Sequence, residues 1–188
     1  SGFKNDGWSS SAMFFDYDRD GWLDLFVCGY VAWTPETDVD CAVSATWPSY
    51  CTPTVYAGEP SRLYRGTGNG RFEDVTAVAG VYRPEGKSLG VVALDYDDDG
   101  WQDFAVANDT EPDLLFHNNR DGTFTEEGVV MGVAFDANGK ATAGMGIDSA
   151  RIQGDGAVSI AVGNFANEMT GLFTGSARAY FENTTRAA

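Results

Sequence analysis

The sequence predicts an all-β fold of β-propeller blades, each with four antiparallel strands, in three tandem repeats. Three observations point there. An aspartate-rich loop occurs twice, as Asp16-Tyr17-Asp18-Arg19-Asp20-Gly21-Trp22-Leu23-Asp24 and as Asp95-Tyr96-Asp97-Asp98-Asp99-Gly100-Trp101-Gln102-Asp103. Short apolar, β-prone runs flank each loop, Ala12–Phe15 and Leu25–Cys28 around the first, Val91–Leu94 and Phe104–Ala107 around the second. They have the length of buried strands, so each loop joins two strands. Finally, each loop is followed by a second hairpin, and a third, weaker copy of the whole pattern comes after.

The second hairpins align without a gap. Pro60-Ser61-Arg62-Leu63-Tyr64 and its glycine turn at Gly66, Gly68 and Gly70 match Pro112-Asp113-Leu114-Leu115-Phe116 and the turn ending at Gly122. In the third repeat, Gly146-Ile147, Ile160–Val162, Leu172-Phe173 and Tyr180-Phe181 mark the four strands. Its loop has degenerated: Arg151, Gln153, Asp155, Gly156 and Ser159 stand where the other copies have Asp, Asp, Asp, Gly and Asp. That loop is expected to keep its turn and bind no ion, with an Arg151–Asp155 contact in the ion's place. The repeats divide the chain at residues 1–82, 83–137 and 138–188. Ser1-Gly2-Phe3 resembles the inter-repeat Ala79-Gly80-Val81 and Met131-Gly132-Val133, so the chain is expected to run between repeat boundaries. Three blades are too few to close a ring of about four to eight. A fragment of a larger propeller, an assembly closed by partner contacts and an open arc all fit.

The first repeat carries an insertion of roughly 27 residues, about 34–58, well beyond an ordinary loop. Pro35, Pro48 and Pro53 among small polar residues argue against a packed element there. A disulfide between Cys41 and Cys51 is expected to hold it, rather than two free thiols. Cys28, in an apolar strand, reads as a buried free thiol.

Carboxylates at alternate positions repel one another unless a hard cation collects their oxygens, and glycine at the sixth place lets the backbone bend over such an ion. An EF-hand would need a bidentate glutamate at the twelfth position, where Val27 and Val106 stand. The expected cofactor is therefore Ca²⁺ at two strand-connecting sites. Asp16, Asp18, Asp20, Asp24 and the carbonyl of Trp22 form one, and Asp95, Asp97, Asp99, Asp103 and the carbonyl of Trp101 the other.

The 188 residues, 43% apolar and 13% aromatic, supply an ample core. A formal charge of −16 disfavours nucleic acid and anionic membrane as partners, and two bound divalent ions would still leave −12 (−16 + 4). No apolar stretch is long enough to span a membrane and no basic-then-apolar leader opens the chain. Calcium loops and a cysteine pair suit a secreted, periplasmic or cell-surface location. Asn108 and Asn183 head formal glycosylation triplets. Catalytic constellations are missing: His117 is the only histidine and reads as a surface residue before a turn, and the aspartates are better used on calcium than as glycosidase acids.

On the two Asp-x-Asp-x-Asp-Gly-x-x-Asp loops, the chain resembles the FG-GAP or VCBS repeat family, the blades of integrin-α-type propellers. With hairpins such as Leu115–Phe124, the resemblance is closest to the bacterial and cartilage-acidic-protein-like, ASPIC/UnbV-associated branch. It covers nearly the whole chain except the cysteine insertion, and departs from the family in the degenerate third loop and in having fewer blades than usual. It implies a non-catalytic, calcium-binding propeller for adhesion, matrix or surface recognition, with a protein or glycan ligand at a rim. Self-assembly or further blades through open edges is a second expectation. The alternative is a carbohydrate-binding or accessory part of a larger secreted lyase or hydrolase. Trp8, Trp33 and Trp47 could line a sugar surface, although tryptophan at a blade junction is more often core.

Overall fold

The computed structural model describes residues 6–44, 47–152, 154, 156–176 and 180–185. The first sheet runs in the order β1 (Ser9–Phe15), β2 (Asp24–Gly29), β5 (Arg62–Gly66), β6 (Phe72–Asp74). Between its second and third strands lies a separate two-stranded ladder, β3 (Cys41–Ser44) with β4 (Trp47–Ser49). The second sheet is β7 (Ser88–Leu94), β8 (Asp103–Asn108), β9 (Leu114–Asn118), β10 (Phe124–Glu126), followed by one helical turn, α1 (Gly128–Met131). The third is β11 (Gly144–Ala150), β12 (Ser159–Asn164), β13 (Gly171–Gly175), β14 (Phe181–Asn183). All three are antiparallel meanders of propeller-blade type, and no sheet closes on itself.

The blades stack face to face, and the middle one shows why. Every residue of β8 is buried. Strand alternation sends Phe104 and Val106 into a core shared with the first sheet, and Ala105 and Ala107 into a core shared with the third. Phe104 is fully buried among Phe15, Phe26, Phe116 and Phe124, with ring centroids 4.6–5.8 Å away. On the opposite face the small Ala105 and Ala107 leave room for Ile160, Val162 and Phe173. The linkers between blades repeat a backbone requirement: Gly80 and Gly132 have φ of 77° and 82°, and a Cβ there would lie 2.8 and 2.6 Å from the carbonyl oxygens of Phe124 and Phe181.

Cys41 and Cys51 are joined by a disulfide with Cα atoms 5.2 Å apart, and Cys28 is a buried free thiol pushed up to about 12 by burial. The insertion differs from its expected lack of structure. It forms the β3–β4 ladder and a 3₁₀ turn at Pro53–Val55, because the disulfide brings the ladder's outer end together. The ladder remains exposed on both faces. The tryptophans differ too. Trp8 is 48% and Trp47 73% exposed, and Trp33 is half-buried. Trp8 meets the edges of Tyr30 and Trp33, at centroid distances of 5.6 and 5.8 Å, on the rim opposite the aspartate loops. Asn108 is buried and hydrogen-bonded, so its triplet offers no accessible amide for glycosylation. Residues 1–3, Gln153 and Asp155, which carried sequence-based expectations, lie outside the described residues.

Candidate metal centres

Both loops form between the first two strands of a blade and share one hydrogen-bond scheme. In each, the first aspartate accepts the amide of the sixth-place glycine: Gly21 to Asp16 Oδ2 at 3.1 Å, Gly100 to Asp95 Oδ2 at 3.0 Å. The third-place carboxylate accepts the amide two residues on, Asp20 to Asp18 and Asp99 to Asp97, at 3.1 and 3.2 Å. The fifth does likewise: Trp22 donates to Asp20 at 2.9 Å and Trp101 to Asp99 at 2.6 Å. These are Asx turns. The path needs left-handed backbone at two places per loop, Arg19 and Gly21 at 59° and 87°, Asp98 and Gly100 at 58° and 83°.

The ninth aspartate reaches furthest into the blade. Asp24 and Asp103 are fully buried. Asp24 accepts the amides of Tyr17 at 3.0 Å and of Gly66, on the third strand, at 2.9 Å. Asp103 accepts those of Tyr96 at 3.2 Å and of Asn118, also on a third strand, at 2.8 Å. Each thus pins the loop to its own sheet. Burial pushes Asp24 up to about 6 and Asp103 up to about 7.

The structure gathers Asp16, Asp18 and Asp24 at one loop, and Asp95, Asp97 and Asp103 at the other, with one oxygen from each within 4.8 Å of the rest. Asp20 and Asp99 sit beside these groups with an oxygen turned to the following tryptophan's amide, and Asp99 also pairs with Arg120. The donor set fits a hard divalent ion. In these two groups all the side-chain donors are carboxylates, and Asp16 Oδ1 is sealed from solvent with no hydrogen-bond partner among the described residues. An orphaned, buried carboxylate oxygen on a residue grouped with two more carboxylates is costly without a cation.

Neighbouring loops touch. The guanidinium of Arg19 lies 4.6 Å from the ring centroid of Trp101. Asn118 donates its side-chain amide to the carbonyl of Tyr17 at 2.9 Å. Arg151, which stands at the first position of the third loop, donates to the carbonyl of Gly156 and pairs with Asp98 of the second loop. Gly156 keeps the left-handed φ of the sixth place, at 83°.

His117 was missed as part of this region. It lies on β9, half-buried, with Nδ1 3.5 Å from Asp103 Oδ1 and 3.9 Å from Asp97 Oδ2. The gapless alignment of the second hairpins held the signal, because it sets His117 one residue before Asn118, which binds the ninth aspartate.

An FG-GAP-like repeat model matches residues 54–106 and 95–162, together more than half of the 188-residue chain. The chain belongs to the FG-GAP-like repeat family. The first FG-GAP match takes in the second hairpin of the first blade and runs through the second aspartate loop, and the next runs from that loop into the third blade. No curated protein matches the chain.

Proposed function

We propose that the chain is a calcium-stabilised recognition module, not an enzyme, working in a secreted, periplasmic or cell-surface space. The observation that carries this reading is the duplicated carboxylate cluster, with Asp16 Oδ1 left without a partner and a fully buried aspartate closing each loop onto its blade. When bound, a calcium ion would offset part of that charge. Asp16, Asp18 and Asp24 would hold one ion, Asp95, Asp97 and Asp103 the other, with Asp20, Asp99 and the carbonyls of Trp22 and Trp101 as further donors. The gain is a rigid inner hairpin in two of the three blades and a fixed rim for a protein or glycan ligand, in keeping with the recognition roles of FG-GAP-like repeats. The Cys41–Cys51 disulfide is compatible with an oxidising compartment, and among the described residues no helix is long and apolar enough to cross a membrane. From the hairpin sequences we infer a relation to the cartilage-acidic-protein-like branch.

At about 1 mM calcium and a Kd of about 10 μM, each site adds about 2.7 kcal/mol to folding. Thermal unfolding with calcium and with chelator tests this. A rise in Tm of roughly 10–20 °C is expected for two sites, and coincident curves would refute the reading.

One observation favours a second reading. Trp8, Tyr30 and Trp33 form an aromatic cluster on the opposite rim, with Trp8 half exposed, a surface of the kind that stacks on sugar rings. In that reading the module is a carbohydrate-binding or accessory part of a larger secreted enzyme. Glycan binding lost in Trp8→Ala would support it. Phe14, 60% exposed on the outer face of the first sheet, suits contact with a further blade or a second copy of the chain.

A further inference from the structure

We propose that the seam between the first and second blades, on the rim that carries the aspartate loops, is a binding site for a neutral saccharide. This rests on the reading of the chain as a recognition module, and gives that module a ligand class and a place. Three observations carry it.

The first is the space. A cleft of about 420 Å³ opens there, within the range of small-molecule sites. Its walls come from both blades: Tyr17, Arg65 and Val78 from the first, and Trp101, Arg120 and Asp121 from the second. The seam is held without a ligand. Asn118 donates across it to the carbonyl of Tyr17 at 2.9 Å, and Arg19 lies over the Trp101 ring. A ligand therefore meets walls already in place, and little ordering opposes its binding.

The second is the balance of charge. In a chain with 12 basic and 28 acidic residues, this cleft sets two guanidiniums, Arg65 and Arg120, against two carboxylates, Asp18 and Asp121. A ligand of either sign would find a repelling group beside each attracting one. Sugar hydroxyls both donate and accept, so an uncharged saccharide satisfies both kinds of wall. The rings of Tyr17 and Trp101, with Val75 and Val78, supply apolar surface for the C–H faces of a sugar.

The third is hydrogen-bonding capacity left unspent. Arg120 is anchored to Asp99 through Nε and Nη2, at 2.7 and 2.5 Å, which leaves Nη1. Asp121 accepts the amide and hydroxyl of Thr123 on Oδ1, at 3.0 and 2.6 Å, with Oδ2 left to accept from a ligand. Arg65 meets Glu73 at a loose 3.9 Å. Tyr17 is 3% exposed, yet its hydroxyl has no hydrogen-bond partner among the described residues. The second blade shows the contrast. Tyr96, at the same loop position, donates its hydroxyl to Glu127 at 2.8 Å. In the gapless alignment of the second hairpins Val75 stands where Glu127 does, so the first blade leaves its tyrosine hydroxyl for something else to meet.

The test titrates the chain, in calcium-containing buffer, with neutral oligosaccharides of glucose, galactose, mannose and N-acetylglucosamine, by calorimetry and saturation-transfer NMR. We expect at least one to bind. Arg65→Ala and Asp121→Asn, both at exposed positions, should each weaken it by at least about tenfold. Tyr17→Phe removes only the unpartnered hydroxyl and should weaken binding about two- to tenfold with Tm unchanged. Trp8→Ala, on the opposite rim, should have no effect. Binding that survives the three cleft variants and is lost in Trp8→Ala overturns the inference and moves the sugar to the other rim. Binding confined to uronic acid or amino sugars overturns it through the charge balance. A chain whose Tm responds to calcium but which binds no saccharide sinks this inference alone, and one that does neither sinks the calcium reading as well.

Discussion

Asp103→Asn separates the structural from the ionic role of the ninth aspartate. The substituted side chain has the same shape, but only one of its terminal atoms accepts a hydrogen bond. Asp103 accepts from two buried amides, Tyr96 and Asn118, so asparagine must turn its NH₂ toward one of them and leave that donor unmet. An unsatisfied buried donor costs about 1–3 kcal/mol. Part of this is offset because the variant no longer carries a buried charge, leaving a loss of about 1–2 kcal/mol in chelator. On the proposed calcium reading, the site with calcium present also loses a charged ligand. At about 1 mM calcium that removes up to about 2.7 kcal/mol more, for a total of about 4–5 kcal/mol. For a chain of this size each kcal/mol moves Tm by about 2–4 °C. The expected drop is therefore about 2–8 °C in chelator and about 8–20 °C in calcium, read by circular dichroism or calorimetry. Equal drops in the two conditions would show that no ion depends on Asp103 and would refute the reasoning.

Three further predictions rest on other parts of the fold. Burial pushes Asp113, which accepts the Asn108 amide at 2.8 Å, up to about 7. Its proton stabilises the folded chain in full below the ordinary carboxylate range, near about 4, and that contribution is lost as pH rises through about 7. Urea unfolding from pH 4 to 8 should therefore show stability falling more steeply in wild type than in Asp113→Asn, and parallel profiles would contradict the assignment. Phe104→Ala should cost about 3–5 kcal/mol because it empties the centre of the aromatic core, whereas Phe14→Ala, at an exposed site, should cost less than about 0.5 kcal/mol; equilibrium denaturation compares them. Reducing the Cys41–Cys51 bond should speed amide exchange at Cys41–Ser49 and leave β8 protected, since the β3–β4 ladder is exposed and shares no core with the blades. Exchange mass spectrometry distinguishes this from a global loss of protection.

The blades were legible because their constraints are local. Glycine at the sixth place, alternating carboxylates and glycine turns each act within a few residues, and Gly21 and Gly100 adopt the left-handed backbone that the pattern requires. The disulfide was legible from two cysteines in a proline-bearing insertion too long for an ordinary loop. Contacts between strands were harder to read. His117 meets Asp97 and Asp103 only because β8 and β9 pair in one register, and a reading along the chain placed it at the surface. Arg151 was expected to serve its own loop, yet it also reaches Asp98 in the neighbouring blade, a contact set by blade stacking. The exposure of Trp8 and Trp47 was hidden for a similar reason: hydrophobicity says that a ring prefers burial, but not whether a neighbouring surface is there to cover it.

The arginines on the loop rim carry one more implication. Arg19 lies over Trp101 and Arg151 grips Asp98, so every junction between successive loops is bridged by a guanidinium. An ion entering one bend would stiffen the strut that leans on the next. If both bends take up ions, as proposed, binding at one should then alter binding at the other, while the guanidinium of Arg151 holds the junction to the third bend without an ion.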